Sequence, residues 1–179
     1  MRKRSKITRM DDWDKEPVEY TRKCDFTDTL RLHVMQDYLY YSLYKRSRKG
    51  IDFDAIKKSE EHARIMADAA CLLLDRIILN LEGWCIVTTP RRRHFGGFHF
   101  SEFVSGRISE AKHIPFYKGA IQCLTKDRLN PDFHLLREIK EKNVIIFDDI
   151  ITTGKTLATA RNLLQDKDQV VCIVGIQNK

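Results

Sequence analysis

The sequence predicts an α/β fold in which helices flank a mostly parallel central sheet. Its apolar residues gather in short continuous runs at about 84–88, 116–123, 144–147 and 170–176, and helix-like stretches separate these runs. Continuous apolar runs indicate strands that are covered on both faces, as in a parallel sheet. Their alternation with helices is typical of an α/β domain. At 179 residues the chain suits one hydrophobic core better than two.

The chain divides into an arm and one domain. Residues 1–24 are polar, charged and without a period, so we expect a basic, flexible N-terminal arm. The domain would occupy residues 25–179, with a helical layer at 25–83 and the α/β core at 84–179. The layer would either add to the core or form a hood over a site.

Two helices are expected in the layer. The first would begin near Thr27 and carry an apolar stripe at helical spacing, formed by Leu30, Val34, Tyr38 and Tyr41. The second would begin near Ser59 and end at Gly83, and its buried face would consist of Met66, Ala70, Leu73 and Ile77. In the core we expect helices at about 98–112 and 155–164. The aromatic cluster suits either the core or a hood that stacks on a base: Tyr38, Tyr40, Tyr41 and Tyr44.

Composition narrows the class of protein. No apolar run approaches the roughly 20 residues that cross a bilayer, and the basic N-terminus turns acidic where a secretion signal would turn apolar, so we expect a cytoplasmic protein. The five cysteines form no C-x-x-C pair, which predicts buried reduced thiols and no structural zinc site. The net charge of +7 favours an anionic partner, either a polyphosphate or a nucleic acid.

The segment that carries the chemistry is residues 144–156, VIIFDDIITTGKT. Its four apolar residues predict a buried strand that delivers Asp148 and Asp149 at its carboxyl end, where ligands bind in open α/β sheets. The loop that follows opens a helix, whose first N–H groups and dipole favour an anion. We therefore predict a phosphate site formed by Thr152, Thr153, Gly154, Lys155 and Thr156.

Two other interpretations explain this segment less well. Gly154, Lys155 and Thr156 match the end of a Walker A loop, but that motif needs glycine where Asp149 stands, and an acid there would repel a phosphate. An ordinary strand followed by a capped helix would explain one acid and one threonine. It would not explain two adjacent acids, a double threonine and a glycine together.

The strand, acid pair and loop resemble the signature of type I phosphoribosyltransferases, glycosyltransferases that act on phosphoribosyl pyrophosphate (PRPP). The resemblance implies the fold of that family and Mg²⁺-dependent transfer of 5-phosphoribose from PRPP to a nitrogenous acceptor, with release of pyrophosphate. It implies that Asp148 and Asp149 are catalytic and hold the ribose hydroxyls, and that the loop 152–156 takes the 5′-phosphate. Mg²⁺ would arrive with the substrate near the two acids. Homodimers are frequent among similar proteins.

The same resemblance bears on the acceptor. Family members that act on 6-oxopurines carry an aspartate where this chain has Thr152, so salvage of hypoxanthine or guanine is not expected. The arginine-rich turn, Gly96–His99 and the helix after it resemble most the competence-associated (ComF-like) branch. His99 and Gly96 depart from that branch, which has asparagine and arginine there, and its N-terminal zinc ribbon is absent from this sequence.

Basic residues in two segments are candidates to bind the pyrophosphate. Arg91, Arg92 and Arg93 follow the strand at 84–88, where family members keep a pyrophosphate loop, and guanidinium groups suit such an anion. Lys126 and Arg128 stand where the family keeps a flexible loop that closes over PRPP. Solvated basic turns are the alternative in both places. No role is assigned to the histidines His94, His99 and His134.

A second class of function remains open. A non-enzymatic protein of the ComF-like type that binds PRPP or a nucleotide would act in DNA uptake, defence or nucleic-acid metabolism. The basic arm and the basic cluster at 45–49 would then contact nucleic acid.

Overall fold

The computed structural model describes residues 23–25, 30–35, 37–47, 50–90, 98–124 and 132–178. Nine strands and four helices lie within these residues, in the order β1 (Lys23–Asp25), β2 (Arg31–Val34), β3 (Leu39–Arg46), β4 (Ile51–Asp52), α1 (Phe53–Lys58), α2 (Glu60–Ile77), β5 (Trp84–Thr88), α3 (Phe100–Lys112), β6 (Ile121–Cys123), β7 (Phe133–Leu135), β8 (Asn143–Ile151), α4 (Lys155–Asn162) and β9 (Gln169–Gln177).

The main sheet has a parallel centre. Its strand order is β4-β1-β3-β9-β8-β5, and β2 also pairs with β3, which makes seven strands in the part of the chain that the structure describes. Strands β3, β9, β8 and β5 are mutually parallel, whereas β1, β2 and β4 join antiparallel at one side. Strands β6 and β7 form a separate small sheet. The predicted fold class, a mostly parallel sheet flanked by helices, is confirmed.

Helices cover both faces of this centre. Ile86, Ile145 and Ile173 face the layer of α1, α2 and α3, whereas side chains of opposite parity, such as Val87 and Ile146, face α4. All five are fully buried, and each such side chain contributes about 1.5–3 kcal/mol relative to an exposed one. Burial on both faces explains why the apolar runs of these strands are continuous.

Helix α2 begins where the sequence predicts and ends earlier. The Ser59 hydroxyl accepts a hydrogen bond from the N–H of His62 at 3.2 Å, and Met66, Ala70 and Leu73 are buried. The helix ends at Ile77, not at Gly83. Gly83 has a φ of +73° and lies in the turn that precedes β5. This glycine therefore marks the turn before the next strand and not the end of α2.

The predicted helix from Thr27 through Tyr41 is wrong, because the described part of this stretch forms β2 and begins β3. Tyr38, Tyr40 and Tyr44 are buried, while Val34 is 78% exposed. Residues four positions apart lie on one face of a helix, and because four is even they also lie on one face of a strand. The spacing of the stripe therefore fits both structures. The aromatic residues of this run favour a strand. The helical layer thus reduces to α1 and α2, and these three tyrosines belong to the core.

The predicted strand at 116–123 is divided by a turn. Phe116 makes a single parallel bridge to Ile86, with the N–H of Tyr117 donating to the Ile86 carbonyl at 3.0 Å. Gly119, with a φ of +64°, then turns the chain before β6. From β5 the chain therefore passes through α3 to one side of β5, whereas β8 lies on the other side and leads through α4 to β9. Such a divergence leaves a crevice at the carboxyl ends of β5 and β8, the usual place for a ligand.

Of the four cysteines whose burial the structure describes, Cys85 and Cys172 are buried, whereas Cys71 and Cys123 are partly exposed. Cys85 and Cys172 are buried free thiols, and burial raises the pKa of each to about 12. Among the described residues, no helix combines the length and the apolar character that a membrane span requires.

Candidate functional site

The two predicted acids lie in β8 close to its carboxyl end and face opposite sides of the sheet. Adjacent residues of a strand alternate in direction, so Asp148 points to the α4 face and Asp149 to the face that α1 covers. Asp148 is buried, and its Oδ1 accepts a hydrogen bond from the Thr89 hydroxyl at 2.8 Å and one from the N–H of Asp149 at 3.1 Å. Thr89 follows β5, so this bond spans the crevice between β5 and β8.

Burial makes the Asp148 carboxyl hard to ionise. Loss of water, and then the neighbouring charge of Asp149, raise the pKa of Asp148 to about 7. The hydroxyl of Thr89 and the ammonium of Lys57 oppose this rise. Near neutral pH the Asp148 carboxyl therefore exchanges a proton with solvent.

Lys57 lies at the site although no sequence pattern pointed to it. Its Nζ is 2.5 Å from Oδ2 of Asp149, and the two side chains are 38% and 16% exposed. Helix α1 brings it there, because Phe53 and Ile56 anchor the helix in the core and Asp52 caps its start. The position of α1 depends on the strands that precede it. An interpretation that made those residues helical could not have found the contact.

The predicted phosphate loop follows β8 and opens α4. Gly154 is the residue before the helix and has a φ of +82°, a conformation that glycine adopts without strain. It has no side chain to cap the helix, and the hydroxyl of Thr153 accepts a long hydrogen bond from the N–H of Lys155 at 3.5 Å. Thr152, Thr153, Gly154 and Thr156 line a small open pocket together with Asp148. Lys155 is exposed in the first turn of α4. The structure thus brings four of the five loop residues together around one pocket with the first acid.

Tyr38 contacts the loop through the backbone of Gly154. Its hydroxyl donates a buried hydrogen bond to the carbonyl of Gly154 at 3.0 Å. A Cβ atom on Gly154 would lie 2.7 Å from the Tyr38 oxygen and 2.8 Å from Cε of Met35, so only glycine fits there without a shift. Sequence reasoning assigned Tyr38 to a helix and missed this contact, which joins residues 116 positions apart.

The predicted pyrophosphate ligands lie outside the described residues: Arg91, Arg92, Arg93, Lys126 and Arg128. The chain leading to the three arginines is described, and it places buried Thr89 against Asp148. Two of the three histidines have local partners, since His99 accepts from the N–H of Glu102 at 3.3 Å and His134 lies 2.9 Å from the Asp132 carboxylate. His94 lies outside the described residues.

Comparison with known proteins supports the fold. No protein-family model matches the sequence, and no curated protein matches it. An adenine phosphoribosyltransferase structure is similar with a TM-score of 0.53 and 18% identity, over 83% of this chain and 84% of that one. The adenine phosphoribosyltransferase of Saccharomyces cerevisiae, complexed with D-2,5-dideoxy-2,5-imino-altritol 1,6-bisphosphate and adenine, is similar with a TM-score of 0.52 and 17% identity, over the same 83% and 84%. The chain therefore has the type I phosphoribosyltransferase fold.

Proposed function

We propose that this protein is a Mg²⁺-dependent phosphoribosyltransferase that moves 5-phosphoribose from PRPP to a nitrogen atom of an acceptor base and releases pyrophosphate. The observation that carries the proposal is the pocket that Asp148 shares with the loop around Gly154, at the carboxyl end of β8. A pocket with a carboxyl group at one side and a helix N-terminus at the other suits a ligand with sugar hydroxyls and a phosphate.

Binding would use each part of the pocket for one part of PRPP. The N–H groups and dipole at the start of α4 attract the 5′-phosphate, and the hydroxyls of Thr152, Thr153 and Thr156 add donors. Lys155 adds a positive charge at the same end of the helix. The ribose 2′- and 3′-hydroxyls donate to Asp148 and Asp149, which accept hydrogen bonds when ionised.

Transfer breaks the bond between C1 of the ribose and the pyrophosphate oxygen while a bond forms from the acceptor nitrogen to C1. Positive charge develops on the sugar ring, and the nearby carboxylates stabilise it. Fixed positions for the sugar and the acceptor supply a further part of the rate. Pyrophosphate leaves with the bonding electron pair, and Arg91–Arg93, Lys126 and Arg128 are the proposed cations that receive it.

The residues present suit a Mg²⁺ ion that enters with the substrate. The described residues contain no group of three or more histidine, cysteine, aspartate or glutamate side chains that would hold an ion alone. Asp148 lines the pocket and Asp149 is the next residue of β8, and Mg²⁺ commonly combines one or two carboxylates with substrate phosphates. When bound, the ion supplies positive charge to the pyrophosphate.

Adenine is the first acceptor to test. Two structures with the same fold are adenine phosphoribosyltransferases, and one of them holds adenine. Thr152 stands where members that act on 6-oxopurines carry an aspartate, which argues against hypoxanthine and guanine. The segment around Gly96–His99 resembles the ComF-like branch, which is associated with DNA uptake, defence or nucleic-acid metabolism. Nucleic acids therefore belong in the same panel of acceptors.

The test is pyrophosphate release from PRPP and Mg²⁺ with each acceptor in turn. We expect Asp149→Asn to lower turnover by about 100-fold or more, because the neutral amide no longer stabilises the positive charge that develops on the ribose. Asp68→Asn, on the exposed face of α2, is the matched control and should keep full activity. Circular dichroism checks that both variants fold. Unchanged pyrophosphate release by Asp149→Asn would contradict the assignment.

A second candidate is a protein that binds PRPP without turnover. It is favoured by the ion pair between Lys57 and Asp149, which engages the second acid within the protein, and by the net charge of +7. Tight binding of PRPP without pyrophosphate release from any acceptor would support it. Affinity for DNA or RNA that falls steeply with salt would then point to a nucleic-acid partner.

A further inference from the structure

Lys57 occupies a position that the proposed reaction does not yet use. Its ammonium contacts one oxygen of Asp149 at 2.5 Å, yet 38% of the side chain remains exposed. An ammonium has three donors, and one ion pair leaves donors for a second anion on the solvent side. The group therefore has donors that can bind a ligand anion at the same edge of the sheet if its contact with Asp149 is lost.

The base of the Lys57 side chain is held by a helix that is anchored in the core, while the side chain is partly exposed. Phe53 and Ile56, 2% and 0% exposed, fix α1 in the core. The ammonium also lies 4.7 Å from the centre of the Phe53 ring, a favourable cation–π distance. Lys57 is thus restricted to the neighbourhood of Asp149, and a short rotation of the side chain separates the two.

Ribose binding would compete with Lys57 for Asp149. If a sugar hydroxyl donates to this carboxylate, a neutral donor takes the place of a charged one, and the ammonium loses its counter-ion. A sugar phosphate that carries no negative charge near C1 offers the ammonium no new counter-ion. PRPP carries its pyrophosphate on C1, next to the 2′-hydroxyl, and so brings a new anion to the side where the ammonium is released.

We infer that Lys57 selects the pyrophosphorylated sugar: it pairs with Asp149 in the free protein and with the pyrophosphate of PRPP in the complex. The inference rests on the proposed function and adds to it a residue that determines specificity. Lys57 lowers the affinity for ribose 5-phosphate, which cannot replace the ion pair, and raises the affinity for PRPP, which can.

Calorimetric titration with PRPP and with ribose 5-phosphate, at one Mg²⁺ concentration, tests this inference. We expect Lys57→Met to weaken PRPP binding about tenfold and to strengthen ribose 5-phosphate binding. Lys57→Arg keeps the charge and should restore most of the preference for PRPP. Lys58→Met, at the adjacent exposed position of α1, is the matched control and should bind both ligands as the unaltered protein does.

The outcomes separate the inference from the proposed function. Unaltered protein that binds neither ligand would overturn the proposed function and the inference with it. If the unaltered protein binds both, and Lys57→Met changes the two affinities by the same factor or not at all, only the inference is overturned. Lys57→Gln, a second neutral variant, is judged by the same ratio of affinities if the methionine variant does not fold.

Discussion

Replacing Gly154 with alanine tests how the phosphate loop holds its shape. The φ of +82° is in the left-handed region, where an alanine costs about 1–2 kcal/mol. The new methyl group would also lie 2.7 Å from the Tyr38 oxygen and 2.8 Å from Cε of Met35. This Cε atom is the end of a flexible, partly buried side chain, so it is able to move.

Tyr38 cannot move as easily, because only 8% of it is exposed. The methyl group should therefore break the 3.0 Å hydrogen bond to the Gly154 carbonyl, and an unpaired buried hydroxyl costs about 1–3 kcal/mol. Together the two effects predict a loss of about 2–5 kcal/mol in the free energy of unfolding. The same change should weaken binding of ribose 5-phosphate, since the loop that presents the N-terminus of α4 is displaced.

Two other glycines separate these effects in urea denaturation. Gly119 has a φ of +64°, and a Cβ atom added there would have no atom within 4 Å, so Gly119→Ala measures the backbone cost alone. Gly106 lies within α3 and also has open space, so Gly106→Ala should stabilise the protein by up to about 1 kcal/mol. If Gly154→Ala costs no more than Gly119→Ala and leaves ribose 5-phosphate affinity unchanged, the reasoning about Tyr38 is refuted.

Two further predictions concern the acid pair and its surroundings. Burial raises the pKa of Asp148 from 3.8 to about 7, so the folded state prefers the protonated carboxyl. The free energy of unfolding relative to that of Asp148→Asn should therefore be greatest below about pH 4 and fall as the pH rises through 7. Urea denaturation of both proteins between pH 4 and pH 8 measures this difference. A difference that stays constant over this range would contradict the raised pKa. Gly175 packs against Met66 and against the carbonyl of Asp149, which a Cβ would approach to 2.7 Å. Gly175→Ala should destabilise the protein by about 1–3 kcal/mol in the same assay. A urea midpoint equal to that of the unaltered protein would contradict this prediction and show that α2 has room to shift.

The parts of the fold that sequence could predict are those in which neighbouring residues determine the structure. The strand, acid pair and loop of 144–156 form one continuous segment, and the structure has β8 and the start of α4 there. The start of α2 was equally local, because Ser59 caps the helix from within the same turn.

The parts that sequence could not predict depend on distant contacts. Residues 39–46 became a central strand because β9 pairs with them, and nothing within that stretch reveals this partner. Lys57, in α1, and Tyr38, just before β3, lie in this N-terminal part of the fold. Their contacts with Asp149 and Gly154 follow from the arrangement of the whole sheet and not from any motif.

The pairing of β3 with β9 also has a consequence for the order of assembly. A strand from the first third of the chain lies in the sheet next to its last strand, and the β8 strand that carries the acids lies on the other side of β9. During synthesis β3 and β8 can therefore take up their final spacing only after β9 has left the ribosome. Such long-range closure is slow compared with the formation of local helices. We expect a nascent chain to gain its affinity for phosphate in one late step.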